Sequence, residues 1–238
     1  NTYFNNSATW VLGRLTNSVV TRGATGKIAQ TRTASFTPDP NTGLTTQEIN
    51  EPNNAAFKVI SDYAYDIYGN RTSVTQRTDI ASTDPNWFPS RTTTTSYAAT
   101  TFNPIAGQFP SSSINALSQS ETYEYDRRFG GRTKLTGPNG LSTSWAYDLF
   151  GRKKLETRAD GTTTSWSYYD NSRVTFPNMA YGITTSPSTG TWSIAYFDKL
   201  NRPIASYVNR FENAGCYGSL IDYDGFGRVA RQYKSHLH

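Results

Sequence analysis

Trp145-Ala146-Tyr147-Asp148-Leu149-Phe150-Gly151-Arg152 is the stretch that decides how the chain folds. Trp145 and Tyr147 flank a small residue, the alternation of a half-buried strand. Asp148 is placed to accept hydrogen bonds from the backbone N–H groups of a following turn. Gly151 is placed to take the positive φ with which a type I turn opens into a bulged hairpin. Arg152 begins the return strand. The stretch predicts strand, tight turn, strand.

The same pattern returns along the chain. Tyr65-Asp66 is followed by Gly69-Asn70-Arg71, and Tyr223-Asp224 by Gly227-Arg228. Tyr125-Asp126 is followed by Gly131-Arg132, with one extra residue in the turn. Tyr196-Phe197-Asp198 leads to Asn201-Arg202, where Asn stands in the Gly position and is the next most tolerant of a left-handed backbone. Worn copies occupy Trp10 to Thr16 and Phe36 to Leu44, and Asn171-Ser172-Arg173 replaces the Gly-Arg exit after Asp170. Between copies lies a second turn, Pro138-Asn139-Gly140 or Asp160-Gly161. Asn-Gly is a hairpin signal because both residues tolerate positive φ. Each unit of two strands and two turns takes about 21 residues.

Composition agrees with this reading. Hydrophobic residues make up 35% of the 238, aromatics 14%, and one Met is present. Thr and Tyr favour strands, while Gly, Asn and Asp punctuate them. The expected fold is all-β: a long, twisted antiparallel sheet of successive hairpins that curls as part of a hollow shell or barrel. No helical stripe and no composition break appears, so residues 1–238 read as a single repeat region. Tyr63 and Tyr65, Tyr123 and Tyr125, Trp145 and Tyr147, and Trp166 and Tyr168 share faces two residues apart, which predicts an aromatic ladder. Ser144, Ala146, Ser165 and Ser167 fall on the opposite face. Such a sheet leaves open edges, and the chain begins without Met. It therefore reads as an internal piece of a larger protein.

The residues exclude most chemistry. The net charge is +5, and the arginines are spread over turns instead of forming the basic patch of a nucleic-acid footprint. Cys216 reads as part of a Gly-rich loop, Ala214 to Gly218, with no base to activate it, and the two histidines, His236 and His238, lie at the C-terminal end. The same scarcity removes Cys/His zinc sites, and no cofactor is expected. Asp66, Asp126, Asp148, Asp170 and Asp224 recur, but at one turn position where capping is a sufficient reason for a carboxylate; no enzyme is expected. No run is long enough for a membrane-spanning helix, and Asn1 to Asn6 is no signal peptide.

The Tyr-Asp-x-x-Gly-Arg copies at Tyr147 to Arg152 and Tyr223 to Arg228, and Tyr65-Asp66 with Gly69-Asn70-Arg71, resemble the YD repeats of rearrangement-hotspot (Rhs) proteins. The resemblance covers nearly the whole chain and rests on the density of copies. It implies a β-strip that spirals into a hollow shell. In bacterial Rhs proteins and the B/C components of insecticidal Tc toxins, that shell encloses a C-terminal toxic polypeptide; in teneurins, a related barrel belongs to an adhesion receptor. The implied partners are the rest of the shell, its enclosed polypeptide, and a secretion component or surface glycan. The implied location is secreted or at the cell surface. The family's autoproteolytic core has no match here, so no catalytic residue is carried over.

Overall fold

The computed structural model of the chain describes residues 1–170, 178–209 and 215–233. All regular structure among them is β. Two compact units divide the chain, residues 1–124 and 125–238.

The first unit contains β1 (Thr2–Asn6), β2 (Val11–Arg22), β3 (Gln30–Pro38), β4 (Thr45–Asn50), β5 (Val59–Tyr65), β6 (Arg71–Arg77), β7 (Arg91–Ser96) and β8 (Ser112–Ile114). The ninth strand, β9 (Ser120–Asp126), runs across the division. From β1 to β9 each strand pairs antiparallel with the next. The second unit contains β10 (Gly131–Thr136), β11 (Ser142–Tyr147), β12 (Lys153–Thr157), β13 (Thr163–Asp170), β14 (Tyr181–Pro187), β15 (Ser193–Phe197), β16 (Pro203–Asn209), β17 (Cys216–Tyr223) and β18 (Val229–Tyr233). Its strands follow the same rule from β10 to β18. The all-β antiparallel expectation holds.

Each sheet is one layer thick in its contacts, since strands pack against their sequence neighbours. Burial is correspondingly thin. No described side chain is fully buried, and the first unit's buried apolar residues are Val11 and Ile60. The second unit has a small cluster of Met179, Tyr196, Ile204 and Ala205, flanked by Tyr169, Tyr207 and Leu220. Stability in such a sheet comes from the ladder and from cross-strand pairs instead of a deep core. Two pairs set large against absent: Tyr169 lies opposite Gly182, and Tyr207 opposite Gly218. A Cβ on Gly182 would come within 2.6 Å of the Tyr169 ring, and one on Gly218 within 2.4 Å of Tyr207. Each ring therefore covers the bare backbone of its partner.

Two sequence expectations change. Cys216 opens β17 opposite Asn209 and is half-buried, so it belongs to a strand; Ala214, Asn171-Ser172-Arg173, His236 and His238 lie outside the described residues. The ladder expected from Trp145 and Trp166 is not a direct stack. Their strands are separated by β12, with Trp145 opposite Glu156 and Glu156 opposite Thr164. The Lys153 ammonium fills the interval, 5.6 Å from the Trp145 ring centroid and 5.5 Å from that of Trp166. Glu156 accepts the Trp145 indole N–H at 2.9 Å and pairs with Arg158 at 3.0 Å. Twisted neighbouring strands bring the long Lys stem over both rings, and cation–π attraction replaces ring-on-ring contact.

Candidate functional site

The recurring turn is the element that this chain repeats, and Asp148 shows its construction. Gly151 N–H donates to the Asp148 carbonyl at 3.1 Å, and Asp148 N–H donates to the Arg152 carbonyl at 2.9 Å. Gly151 has φ 77°, and the register slips between Ala146 and Tyr147. This is a type I turn leaving through a bulge. Asp148 Oδ1 accepts the N–H groups of Phe150 and Arg152, both at 2.9 Å, and Oδ2 accepts Arg152 Nε at 2.7 Å. One carboxylate thus satisfies two turn donors and a guanidinium.

Asp198 and Asp224 repeat this arrangement. Asp198 Oδ1 caps Leu200 and Arg202 N–H at 2.9 Å, and Oδ2 accepts Arg202 Nε at 2.7 Å. Asp224 Oδ1 caps Phe226 and Arg228 N–H at 2.9 Å, with Arg228 Nε at 2.8 Å. Gly227 takes φ 80°, and Asn201 takes the same left-handed conformation at 60°.

Three other sequence assignments move. In the first copy, Gly69 is left-handed at 84°, but the position of Arg152 is filled by Asn70, which gives Asp66 its N–H at 2.9 Å and its amide at 3.0 Å. Arg71 instead holds its guanidinium 5.2 Å from the Tyr63 ring. In the copy with the extra residue, the left-handed glycine is Gly130 at 68°, not Gly131. Asp126 pairs there with Arg128, whose Nη2 approaches to 2.7 Å, while Arg132 lies 5.9 Å from the Tyr125 ring. Gly131 is required for a different reason: a Cβ there would meet the Tyr147 ring at 2.8 Å. In the 198 copy, Phe197, not Tyr196, stands next to the Asp. Phe197 stacks on Tyr181 at 4.9 Å, whose hydroxyl bonds to Asn201. Tyr196 points to the other face, buried between Tyr169 and Tyr207. Burial, and the phenolic neighbour Tyr169, push its hydroxyl up to about 12.

The turn carboxylates share one electrostatic character. Partial removal from water pushes Asp148 and Asp198 up, but the exit arginine's N–H and guanidinium, with one more turn N–H, outweigh this and hold both below the ordinary 3.8. For Asp224 the Arg228 N–H is itself the leading cause, and it too is lowered. These groups are anions committed to local bonds. That is the opposite of a carboxyl poised to exchange a proton.

The intervening turn has the same backbone with its cap moved. Gly161 N–H donates to Arg158 O and Arg158 N–H to Thr162 O, and Gly161 has φ 82°. The side-chain acceptor is now Asp160, the residue before the glycine, which takes Thr162 N–H at 2.9 Å and its hydroxyl at 2.7 Å. Asn139 bonds Leu141 N–H in the equivalent turn at 3.1 Å, and only Gly140 of the Asn-Gly pair is left-handed. One turn of the first kind escaped the sequence reading. Asn115 caps Leu117 and Gln119 N–H at 2.9 and 3.1 Å, with Ser118 left-handed at 61°. Its signal was Asn for Asp, Ser for Gly and Gln for Arg, three unrelated changes at the correct spacing.

The motif tyrosine ties each turn to the one before. Tyr65 donates its hydroxyl to Thr45 O at 2.8 Å, Tyr147 to Arg132 O at 2.7 Å, and Tyr223 to Pro203 O at 2.9 Å. Each acceptor is an early residue of the strand leaving the preceding Asp turn. The exit arginine reaches the other way: Arg152 lies 4.2 Å from the Tyr168 centroid and Arg202 4.3 Å from that of Tyr223. Asp, Arg and Tyr thus form a relay of contacts from hairpin to hairpin.

Among the described residues no group of three or more His, Cys, Asp or Glu is arranged to hold a metal ion, and no helix is long and apolar enough to cross a membrane. No curated protein matches the chain in sequence. The RHS repeat family model matches residues 130–163, which hold β10, β11 and β12 with both turn types. Among solved structures, TcdB2-TccC3 without its hypervariable C-terminal region matches with TM-score 0.53 and 12% identity, over 86% of this chain and 10% of that one. TcdB2-TccC3 matches at 0.46 and 12%, over 94% and 15%, and the Photorhabdus luminescens Tc holotoxin pore at 0.43 and 14%, over 93% and 14%. The chain spans about a tenth of the length of the first of these. Residues 130–163 thus carry an RHS repeat, and the fold of the chain is similar to that of TcdB2-TccC3.

Proposed function

We propose that this chain is a wall segment of a hollow shell that encloses a toxic C-terminal polypeptide of the same assembly for delivery outside the producing cell. The carrying observation is the one-layer construction, in which strands pack on their sequence neighbours and no described side chain is fully buried. A sheet built this way makes surface instead of a core, which suits a wall. Its specific polar groups are spent on holding turns, so the segment contributes shape and no chemistry. Trp145 and Trp166, the rings best suited to stack on a sugar, hold Lys153 between them, which favours the wall over a glycan-binding module. The whole sheet region, 1–238, acts in this reading as one stretch of strip.

The test is limited proteolysis of the full-length protein that carries this chain. A C-terminal fragment that survives protease while still associated, and is digested once freed by denaturant, supports enclosure. Digestion at the same rate in both states would sink the proposal.

A further inference from the structure

In an antiparallel meander every second turn lies on the same edge, so the turns β10/β11 and β12/β13 share one edge of the second unit. They follow one backbone plan. Gly137 N–H donates to the Leu141 carbonyl at 2.9 Å and Gly140 N–H to the Gly137 carbonyl at 3.0 Å, as Arg158 and Gly161 do in the next turn. They differ in the residue before the left-handed glycine, which is Asn139 in one and Asp160 in the other. Asn139 is the one asparagine of the sequence that is followed by glycine. A side-chain amide beside an unhindered backbone nitrogen is a reactive pair.

We propose that Asn139 is a site of spontaneous deamidation, at which the backbone nitrogen of Gly140 displaces the side-chain amide, and that the turn retains the aspartate so formed. The nitrogen gives up its proton and attacks Asn139 Cγ. The Cγ–N bond forms, the Cγ–Nδ2 bond breaks, and ammonia leaves with that proton. Water then opens the five-membered imide. Opening at the side-chain carbonyl gives aspartate; opening at the main-chain carbonyl gives isoaspartate, with an extra methylene in the backbone. Four observations carry this. The first is access: Pro138, Asn139 and Gly140 are exposed, and nothing lies within 4 Å of the Cβ position of Gly140. The second is the electrophile. Leu141 N–H donates to Asn139 Oδ1 at 3.1 Å, on the oxygen where negative charge gathers as the nitrogen attacks. The third is restraint. The attack needs Gly140 N–H released from the Gly137 carbonyl, a single bond in an exposed turn, where local opening costs little. The fourth is the product. Asp160 shows that this turn accepts a carboxylate, since it takes Thr162 N–H at 2.9 Å, the bond that Asn139 makes to Leu141. Asp160 itself is protected: the Thr162 hydroxyl and N–H hold it below the ordinary carboxylate range, and a carboxylate anion resists a nucleophile. Asn115 caps an equally exposed turn, but Ala116 follows it, so it lacks the bare nitrogen. The reaction is independent of what the wall encloses.

Incubation of the folded chain in mildly alkaline buffer, followed by tryptic mapping, tests it. The peptide Leu135–Arg152 is expected to gain the mass of an amide-to-acid conversion at Asn139 and to split into aspartate and isoaspartate forms, while Thr92–Arg127, which carries Asn115, stays unchanged. Gly140→Ala should slow the conversion about tenfold, because a Cβ then crowds the attacking nitrogen. The comparison with Asn115 is made within the wild-type chain, so it holds even if Gly140→Ala disturbs the turn. Asn139→Asp, the direct product, should keep the native circular dichroism and melting temperature. Conversion of Asn139 no faster than that of Asn115, equal rates in wild type and Gly140→Ala, or an Asn139→Asp chain that fails to fold would each overturn the proposal.

Discussion

The ring of Phe129 lies against Gly151: a Cβ on that glycine would come within 2.9 Å of it. Gly151 is thus constrained twice, by its φ of 77° and by a side chain from the preceding Asp turn. Gly161 has the same left-handed backbone, but nothing lies within 4 Å of its Cβ position. Substituting Ala at Gly161 should cost about 1 kcal/mol from the backbone alone. Gly151→Ala should cost about 1–2 kcal/mol more, because Phe129 must give way. Urea melts of the two variants check this; equal losses would show that Phe129 moves freely.

The pairing of Tyr169 with Gly182 predicts strong non-additivity. Gly182→Ala in the wild type forces the new methyl into the Tyr169 ring and should cost about 1–3 kcal/mol. With Tyr169→Ala already present, the same change should be nearly neutral or favourable, since Ala suits a strand better than Gly. A double-mutant cycle measures the coupling, and additive effects would contradict the packing described.

Tyr147→Phe removes the bond to the Arg132 carbonyl and keeps the ring. The expected loss is about 0.5–1.5 kcal/mol, toward the upper part if the half-buried carbonyl stays unpaired. The informative readout is hydrogen exchange: protection should fall in β10 as well as β11, because the lost bond joins one turn to the next. Loss confined to β11 would disprove that link.

Acid should loosen the turns before it affects the ladder. Asp148, Asp198 and Asp224 are held below 3.8 in the folded chain, so the unfolded chain binds protons more readily. Their contribution is fully present above roughly pH 4 and is lost as pH falls through the folded values. The melting temperature should be level from pH 7 to about 5 and fall below about pH 4. Replacing all three with Asn should flatten that fall, and an unchanged acid slope would remove these carboxylates as its cause.

Much of this was legible in the sequence because local chemistry dictates it. The turn at Asp148 is set by residues that touch only each other, so its spacing alone predicts strand, cap and bulge. The reading failed where one inserted residue let two glycines compete, and the left-handed role went to Gly130 while Gly131 was claimed by Tyr147 packing. It failed at Tyr196 because Phe can fill the place beside Asp198, which frees Tyr for the opposite face. It missed Asn115 because capping needs only a side-chain oxygen and a residue tolerant of left-handed backbone. The Lys153 bridge between Trp145 and Trp166 was hidden because twist and strand separation, not spacing along the chain, decide what lies between two rings.

Within the second unit the alternation of cap position has a consequence for how such a chain lengthens. Asp148 caps from the start of its turn and Asp160 from just before the glycine, on opposite edges. Loss or gain of a single strand would move every later Asp-Arg turn to the wrong side, and each Tyr would lose the carbonyl it reaches for. Growth is therefore quantised in pairs of strands. Adding or removing strands two at a time keeps each Asp turn on its edge and each tyrosine in reach of its carbonyl.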